Sequence, residues 1–571
     1  MGFAIKQVQF DPETLYGIGM ADQKTQVSPP RTRIRLPSPW STGAVLIGGL
    51  VVAPIFAILW MALTPSENVW PHLMATVLPR YLANTGMIAG AVALIAAMVG
   101  TGSAWYVAMY RFPGSRWFEW LLLFPLAIPA YVGAYALVDF LEYSGPVQTG
   151  LRGLFGWENA RDYAFPEIRS RWAAVVVLAA ALYPYVYLLA RTAFREQSGG
   201  IYEVARALGS GPFARFWRVG LPLARPAIAA GTAIVMMETV SDFGVVEFFA
   251  VQTLTTGIFT TWLEMGNAGG AAQMSLVILS LVLLLVGLEK ASRSRSRFYQ
   301  TARQRRPIET IRLTGWHGWA ATVLCVVPFA VGFVLPVGVI GWHAVVNWQG
   351  WMAPGLGLAL RNTLVVGSAA ALVTVTAALF LTYGMKLTPS RLPRKVMPVT
   401  TLGYAAPGAV LGVGILIPLA AADNALADTV YNLTGWDPGL LMTGTAFAVV
   451  YAYSVRFFAI AQGAAESAMD RVSPSLPMAA RSLGRTAGGA LREVYVPLIR
   501  GSVGTALLLV FVDSVKELPA TLLLRPFNYN TLATRVYEKA SLEQIGQAAP
   551  AAMLVIAVGL AAVALAARAS K

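Results

Sequence analysis

Twelve apolar stretches run through the 571-residue chain, centred on residues 43–64, 86–110, 117–141, 172–194, 226–249, 271–288, 318–342, 363–385, 397–420, 440–463, 502–524 and 548–567. About 20 apolar residues carry an α-helix across a bilayer. A chain that crosses so often has little freedom left, because its backbone polar groups must be satisfied without water. Only 12% of the residues are charged, against about 25% in an ordinary soluble domain. Several stretches contain Pro or Gly, which membrane helices tolerate when neighbours satisfy the freed backbone groups. The expected fold is an all-α polytopic membrane protein with about twelve transmembrane helices.

The net charge of +15 points to the membrane surface, with no role in binding nucleic acid. With the N-terminus inside and twelve crossings, 33 of the 43 Lys and Arg fall on the inner side, which is the bias that sets orientation. Both termini are therefore expected in the cytoplasm. The polar stretch 1–40, with Lys6, Lys24, Arg31, Arg33 and Arg35, reads as a cytoplasmic tail and not as a cleaved signal peptide. The segment 289–317, dense in Arg and Ser, reads as a cytoplasmic linker held by anionic headgroups at about 1 kcal/mol per basic residue.

Single residues add less. One cysteine, Cys325, and three histidines, His72, His317 and His343, exclude an intramolecular disulfide and a Cys/His metal cage. No metal ligand set is assigned, and Cys325 reads as a small packing residue. Arg191 and Arg456, near the inner ends of spans, are expected to reach headgroups. Gly86 and Gly90 have the spacing that lets helices approach. Trp60, Trp70, Trp105, Trp117, Trp120 and Trp172 fall mostly at span ends, as in an interfacial belt.

The chain also repeats itself. EVARALGSGPFARFWRVGLP begins at Glu203 and MAARSLGRTAGGALREVYVP at Met478. Gly209 and Gly484, Pro222 and Pro497, and Arg225 and Arg500 are each 275 apart. Asn84-Thr85 and Asn362-Thr363, like Pro129 and Pro407, are 278 apart. The pattern predicts two parallel six-helix repeats: a first transmembrane domain over 41–288 and a second over 318–571, joined by the linker. An even number of spans per half puts both doubled loops, 203–222 and 478–497, on the cytoplasmic side. Each loop reads as a short helix, a glycine turn, a second helix and a Pro that starts the next span. Two matching surfaces suit two equivalent partners.

A second repeated feature is charged. Glu238 and Asp242 are four apart, hence on one helical face. At the same offset of 275 stand Asp513 and Glu517, with Lys516 beside them. Ionisable groups within a span cost about 2.5–3.5 kcal/mol on insertion scales and usually face a pathway or a partner. Two readings stand: a pathway or gate, or capping and pairing where Gly244 and Pro519 disturb the helices.

The doubled stretch resembles the EAA loop of ABC-importer membrane subunits. Glu203, Ala205, Gly209, Leu221 and Pro222 match the motif in the first copy, and Ala479, Ala480, Gly484, Val496 and Pro497 in the second, where Met478 stands in place of the Glu. KELPATL from Lys516 and TLATR from Thr531 are similar to segments of the fused, two-domain permeases of the ferric-iron uptake family. SDFGVVEFFAVQTLTTGIFTTW from Ser241 resembles that family's first half.

The resemblance implies a type I ABC-importer permease fold in the bacterial inner membrane and a periplasmic binding protein that delivers Fe(III). It also implies a coupling helix in each loop, seated on an ATPase that binds ATP and Mg. None of the eight lysines follows a glycine, so the chain has no phosphate loop. It is expected to be a transport subunit and not an enzyme, with no cofactor of its own and an ATPase homodimer as partner. Related fused permeases carry thiamine or aminophosphonates. A six-plus-six secondary transporter would leave the doubled loop unexplained, and no nucleophile–base arrangement supports a membrane enzyme.

Overall fold

A computed structural model describes residues 39–65, 67–294, 310–387, 400–401, 403 and 406–569. The N-terminal tail before Pro39 and the middle of the basic linker, 295–309, lie outside the described residues. Among those residues, ten helices are long and apolar enough to cross a membrane, and two bent pairs raise the number to twelve. The third crossing, Ser115–Ala127 with Ala130–Phe155, bends by 93°, because Pro125 and Pro129 remove backbone donors where the turn is made. The tenth, Phe447–Arg456 with Phe458–Asp470, bends by 52°. This is the all-α architecture of about twelve crossings expected from the sequence.

Three crossings differ from the expected windows. The fifth and eleventh run over Pro212–Ser241 and Ala487–Val515, beginning inside the doubled stretch and ending before residue 249 or 524. Pro222 and Pro497 thus do not start these spans. Each lies two residues past the end of a π-helical turn, Phe216–Gly220 or Leu491–Tyr495. A proline denies the helix a donor and crowds the carbonyl four residues back; an i→i+5 turn relieves this without stopping the helix. The ninth crossing starts after Pro407 and runs to Thr434, well past the expected residue 420. Its C-terminal part is pinned by buried Asp423, whose carboxylate accepts from the backbone N–H groups of Leu441, Met442 and Thr443.

The repeat has a structural counterpart. In the first half Asn84 Nδ2 donates to the Gln252 carbonyl at 2.7 Å, and Thr85 Oγ1 accepts from the Leu254 N–H at 3.1 Å. In the second, Asn362 donates to the Asn530 carbonyl at 3.0 Å, and Thr363 accepts from Leu532 at 2.8 Å. Both receiving segments are capping boxes, Thr253 with Thr256 and Thr531 with Thr534, so the T-L-x-T pattern marks a helix start satisfied reciprocally.

The halves interlock. The first span, Pro39–Leu63, packs on Leu356–Leu387 and Gly408–Thr434 of the second half, and the seventh, Trp316–Val346, packs on Ala130–Leu141 of the first. Both large hydrophobic cores therefore draw side chains from both halves. Lipid supplies no hydrophobic drive between helices, so close approach depends on small residues. Gly100 and Gly231 meet this need against the 183–187 segment, where a Cβ would stand 2.8 Å from Val186 atoms in each case. Gly86 and Gly90, expected to pack helices, have nothing within 4 Å of a Cβ. Cys325 is free and fully buried.

Candidate functional site

The doubled loops are built alike. The helices Gly199–Ala207 and Ser475–Ser482 each end on a glycine in the left-handed region, Gly209 at φ +78° and Gly484 at φ +81°. Ser210 N–H donates to the Ala205 carbonyl and Gly209 N–H to Arg206; Arg485 and Gly484 do the same to Ala480 and Arg481. This crossed pair of bonds satisfies the last carbonyls of a helix and needs a C′ residue that tolerates positive φ. Each helix presents a face to solvent. Glu203, Val204 and Leu208 are exposed in the first loop, and Met478, Ala479 and Leu483 in the second. Ala205 is buried and Ala480 half-buried beneath them. Leu221 is half-buried, while Pro222, Val496 and Pro497 are exposed on the following helices.

The floors under the two loops differ. In the first half the ring of Trp105 packs edge-on to Phe194 and Phe216 at 5.2 and 5.1 Å, and Gly220 leaves room for it: a Cβ there would meet the indole at 2.5 Å. The repeat mates of Trp105 and Gly220 are Tyr383 and Tyr495, whose rings are 5.3 Å apart. Trp40, from the first span, closes that floor by stacking on Phe380 at 4.6 Å.

The four repeated carboxylates converge. Glu238, Asp242, Asp513 and Glu517 line one cavity of about 150 Å³ between the halves, together with Lys516, Arg456, Pro129, Tyr131 and Tyr185. They do not share helical faces in pairs as the spacing suggests. The fifth crossing ends at Ser241 and the eleventh at Val515, so Asp242 and Glu517 stand beyond the helix ends. Each folds forward onto the short helix that follows. Asp242 Oδ1 accepts from Val245 and Val246 at 3.0 and 3.3 Å. Glu517 accepts from Ala520 and Thr521 N–H groups, both at 3.1 Å, and from Thr521 Oγ1 at 2.9 Å. Capping and cavity lining are thus done by the same side chains.

Two cations lie among the carboxylates, both from the second half. Lys516 Nζ is 2.8 Å from Asp513, with Glu238 of the first half among its electrostatic neighbours. Arg456 Nη1 is 3.2 Å from Glu517, in a pair only 15% and 2% exposed. The expectation for Arg456 is the headgroup region; the bend after it turns its guanidinium into the cavity instead. Gly408 makes the pair possible, since a Cβ there would lie 2.3 Å from Glu517 Oε1 and 2.4 Å from Arg456 Nη1. Arg191 is also held inside the protein, donating to the Glu119 carbonyl at 2.7 Å. The intramembrane position of Arg456 is the available signal; nothing in the sequence marks Tyr131, Tyr185 or Gly408. Among the described residues no three of His, Cys, Asp or Glu come close enough to hold a metal ion.

Residues 96–298 match the family described as the inner membrane component of binding-protein-dependent transport systems. An Fe(3+)-transport system permease protein of Haemophilus influenzae is 25% identical over 539 residues, 91% of this chain and 96% of the relative. The molybdenum transport system permease protein of Escherichia coli is 26% identical over 188 residues, 32% of this chain and 78% of the relative. The sulfate transport system permease protein of the same organism is 25% identical over 193 residues, 32% of this chain and 66% of the relative.

Proposed function

We propose that this chain, which belongs to the permease family of binding-protein-dependent ABC importers, moves Fe(III), free or chelated, across the bacterial inner membrane. The carrying observation is the cavity between the halves, where four carboxylates face two cations. Such a lining attracts a hard, highly charged cation and offers it oxygen donors. It repels oxyanions such as molybdate or sulfate, which relatives matching a third of the chain transport by name. The Fe(3+) relative, by contrast, spans nearly the whole chain. Weak, distributed contacts suit transit, because a tight site would trap the ion.

The doubled loops are the proposed docking points for two ATPase subunits carrying ATP and Mg, and they face the cytoplasm together with both chain termini. A periplasmic binding protein delivers the substrate on the opposite side. Hydrolysis rocks the halves about the cavity, and opening exchanges the Arg456–Glu517 and Lys516–Asp513 pairs for contacts with the passing cation. Uptake of radioactive iron, molybdate and sulfate by cells expressing the importer tests this. Iron alone should accumulate, and Asp242→Asn and Glu517→Gln should each reduce it severely while the permease stays inserted and ATPase-bound. Uptake of molybdate or sulfate in place of iron would overturn the substrate reading. Wild-type iron uptake by both variants would reduce these carboxylates to caps.

A further inference from the structure

We propose that a pocket at the doubled-loop end of the first half binds the phosphate headgroup of an anionic phospholipid. The second span, Leu78–Met109, continues into a two-residue strand, Tyr110–Arg111. This strand pairs in parallel with Ile311–Arg312, near the C-terminal end of the linker. The register sets Arg111 directly opposite Arg312, and Leu313 N–H donates to the Arg111 carbonyl at 2.9 Å. Like charges facing each other across strands about 4.8 Å apart repel, so an anion lodged between them would favour this pairing.

A third arginine joins them. Arg116 lines the same pocket of about 710 Å³ with Arg111, Arg312, Ser115 and Trp117. Among the described residues neither Arg116 nor Arg312 has an ion-pair partner, and Arg111 commits only Nε, to Thr310 Oγ1 at 2.9 Å. Three arginines lining one pocket from two chain segments suit a phosphate, which guanidinium groups bind with charge-assisted hydrogen bonds. Free phosphate and a lipid headgroup share that chemistry. The surroundings favour lipid: Trp117, Trp316 and Trp319 stand 64–74% exposed beside the ends of two spans, as aromatic side chains do at the membrane–water boundary. The ring of Tyr110 lies 6.3 Å from Trp105, which floors the first doubled loop, so an occupant here would brace the linker against that loop.

Native mass spectrometry of the full-length permease, delipidated and then offered phosphatidylglycerol or phosphatidylcholine, tests the assignment. The wild type should retain phosphatidylglycerol selectively. Arg116→Gln, which leaves the strand pairing intact, should weaken retention about fivefold, and the triple Arg111→Gln/Arg116→Gln/Arg312→Gln variant should lose it. Arg161→Gln, in the loop after the third crossing, should change nothing. Equal retention of the two lipids, or undiminished retention by both Arg116→Gln and the triple variant, would overturn the site. Displacement of phosphatidylglycerol by millimolar inorganic phosphate would overturn the lipid source and leave a soluble-anion site.

Discussion

Gly408→Ala is the sharpest probe of the inter-half cavity. The added methyl would stand 2.3 Å from Glu517 Oε1 and 2.4 Å from Arg456 Nη1, so each must retreat by about 1 Å to reach ordinary contact. Lengthening the 3.2 Å pair by that much loses about 1 kcal/mol of attraction at an effective dielectric of ~20. Disturbing the bond from Ala520 N–H to Glu517 Oε1 costs a further 1–3 kcal/mol, roughly, as a buried donor loses its acceptor. Against this, replacing Gly by Ala in a helix gains about 0.5–1 kcal/mol. The net expectation is destabilisation by about 1–3.5 kcal/mol, bounded above by the 3–5 kcal/mol or so of breaking a buried pair outright.

The internal control is built in, because Ala130, the repeat mate of Gly408 at an offset of 278, already carries the methyl beside the same cavity. Equilibrium unfolding in mixed micelles, with iron uptake alongside, measures the effect. In an Arg456→Ala/Glu517→Ala background the same substitution should be neutral or stabilising. An equal cost in both backgrounds, or none in the wild type, would refute the reasoning.

Gly209→Val and Gly484→Val should leave the chain inserted but abolish substrate-stimulated ATP hydrolysis, since a β-branched residue at φ near +80° costs about 1–3 kcal/mol although the space around both glycines is open; unchanged stimulation would separate these turns from coupling. In the same assay Glu203→Ala should do more harm than Met478→Ala, and equal effects would remove the asymmetry between the loops. Thr85→Val and Thr363→Val should each destabilise by about 1–3 kcal/mol, because the fully buried N–H groups of Leu254 and Leu532 lose their acceptors, and the double variant should show the sum. A loss confined to one half would show that the two junctions are not equivalent.

The spans and the duplication are open to inspection in the sequence because both are written in local composition. A run of apolar residues is visible without a structure, and so is a match such as Asn84-Thr85 with Asn362-Thr363. Hydropathy, however, reports where the bilayer lies and not where a helix stops. The windows over the fifth and eleventh crossings therefore merge Asp242 and Glu517 with the helices before them, although both residues cap the helices that follow. The two prolines 222 and 497 mislead in the opposite sense, since a π turn lets the helix run on through the point where a new span is expected to start. The cavity itself is tertiary. Arg456 reaches it only because the tenth crossing bends after it, and the need for Gly408 arises from Arg456 and Glu517, two side chains on other spans.

The exchange of first spans constrains how the protein can be made. Pro39–Leu63 leaves the ribosome well before its partner Leu356–Leu387, with everything between them still to be synthesised. At about 5–20 residues per second that delay is roughly 15–60 s. During it the segment can pack on the sixth crossing of its own half, Ala268–Ser294, against which it also lies, and its other faces can rest in lipid, since it holds no Asp, Glu, Lys or Arg. The faces of this segment that meet Leu356–Leu387 and Gly408–Thr434 stay uncovered until the second half is made. A nascent first half therefore carries an unmatched apolar face on its leading segment, and closing that face ties completion of the first half to synthesis of the second.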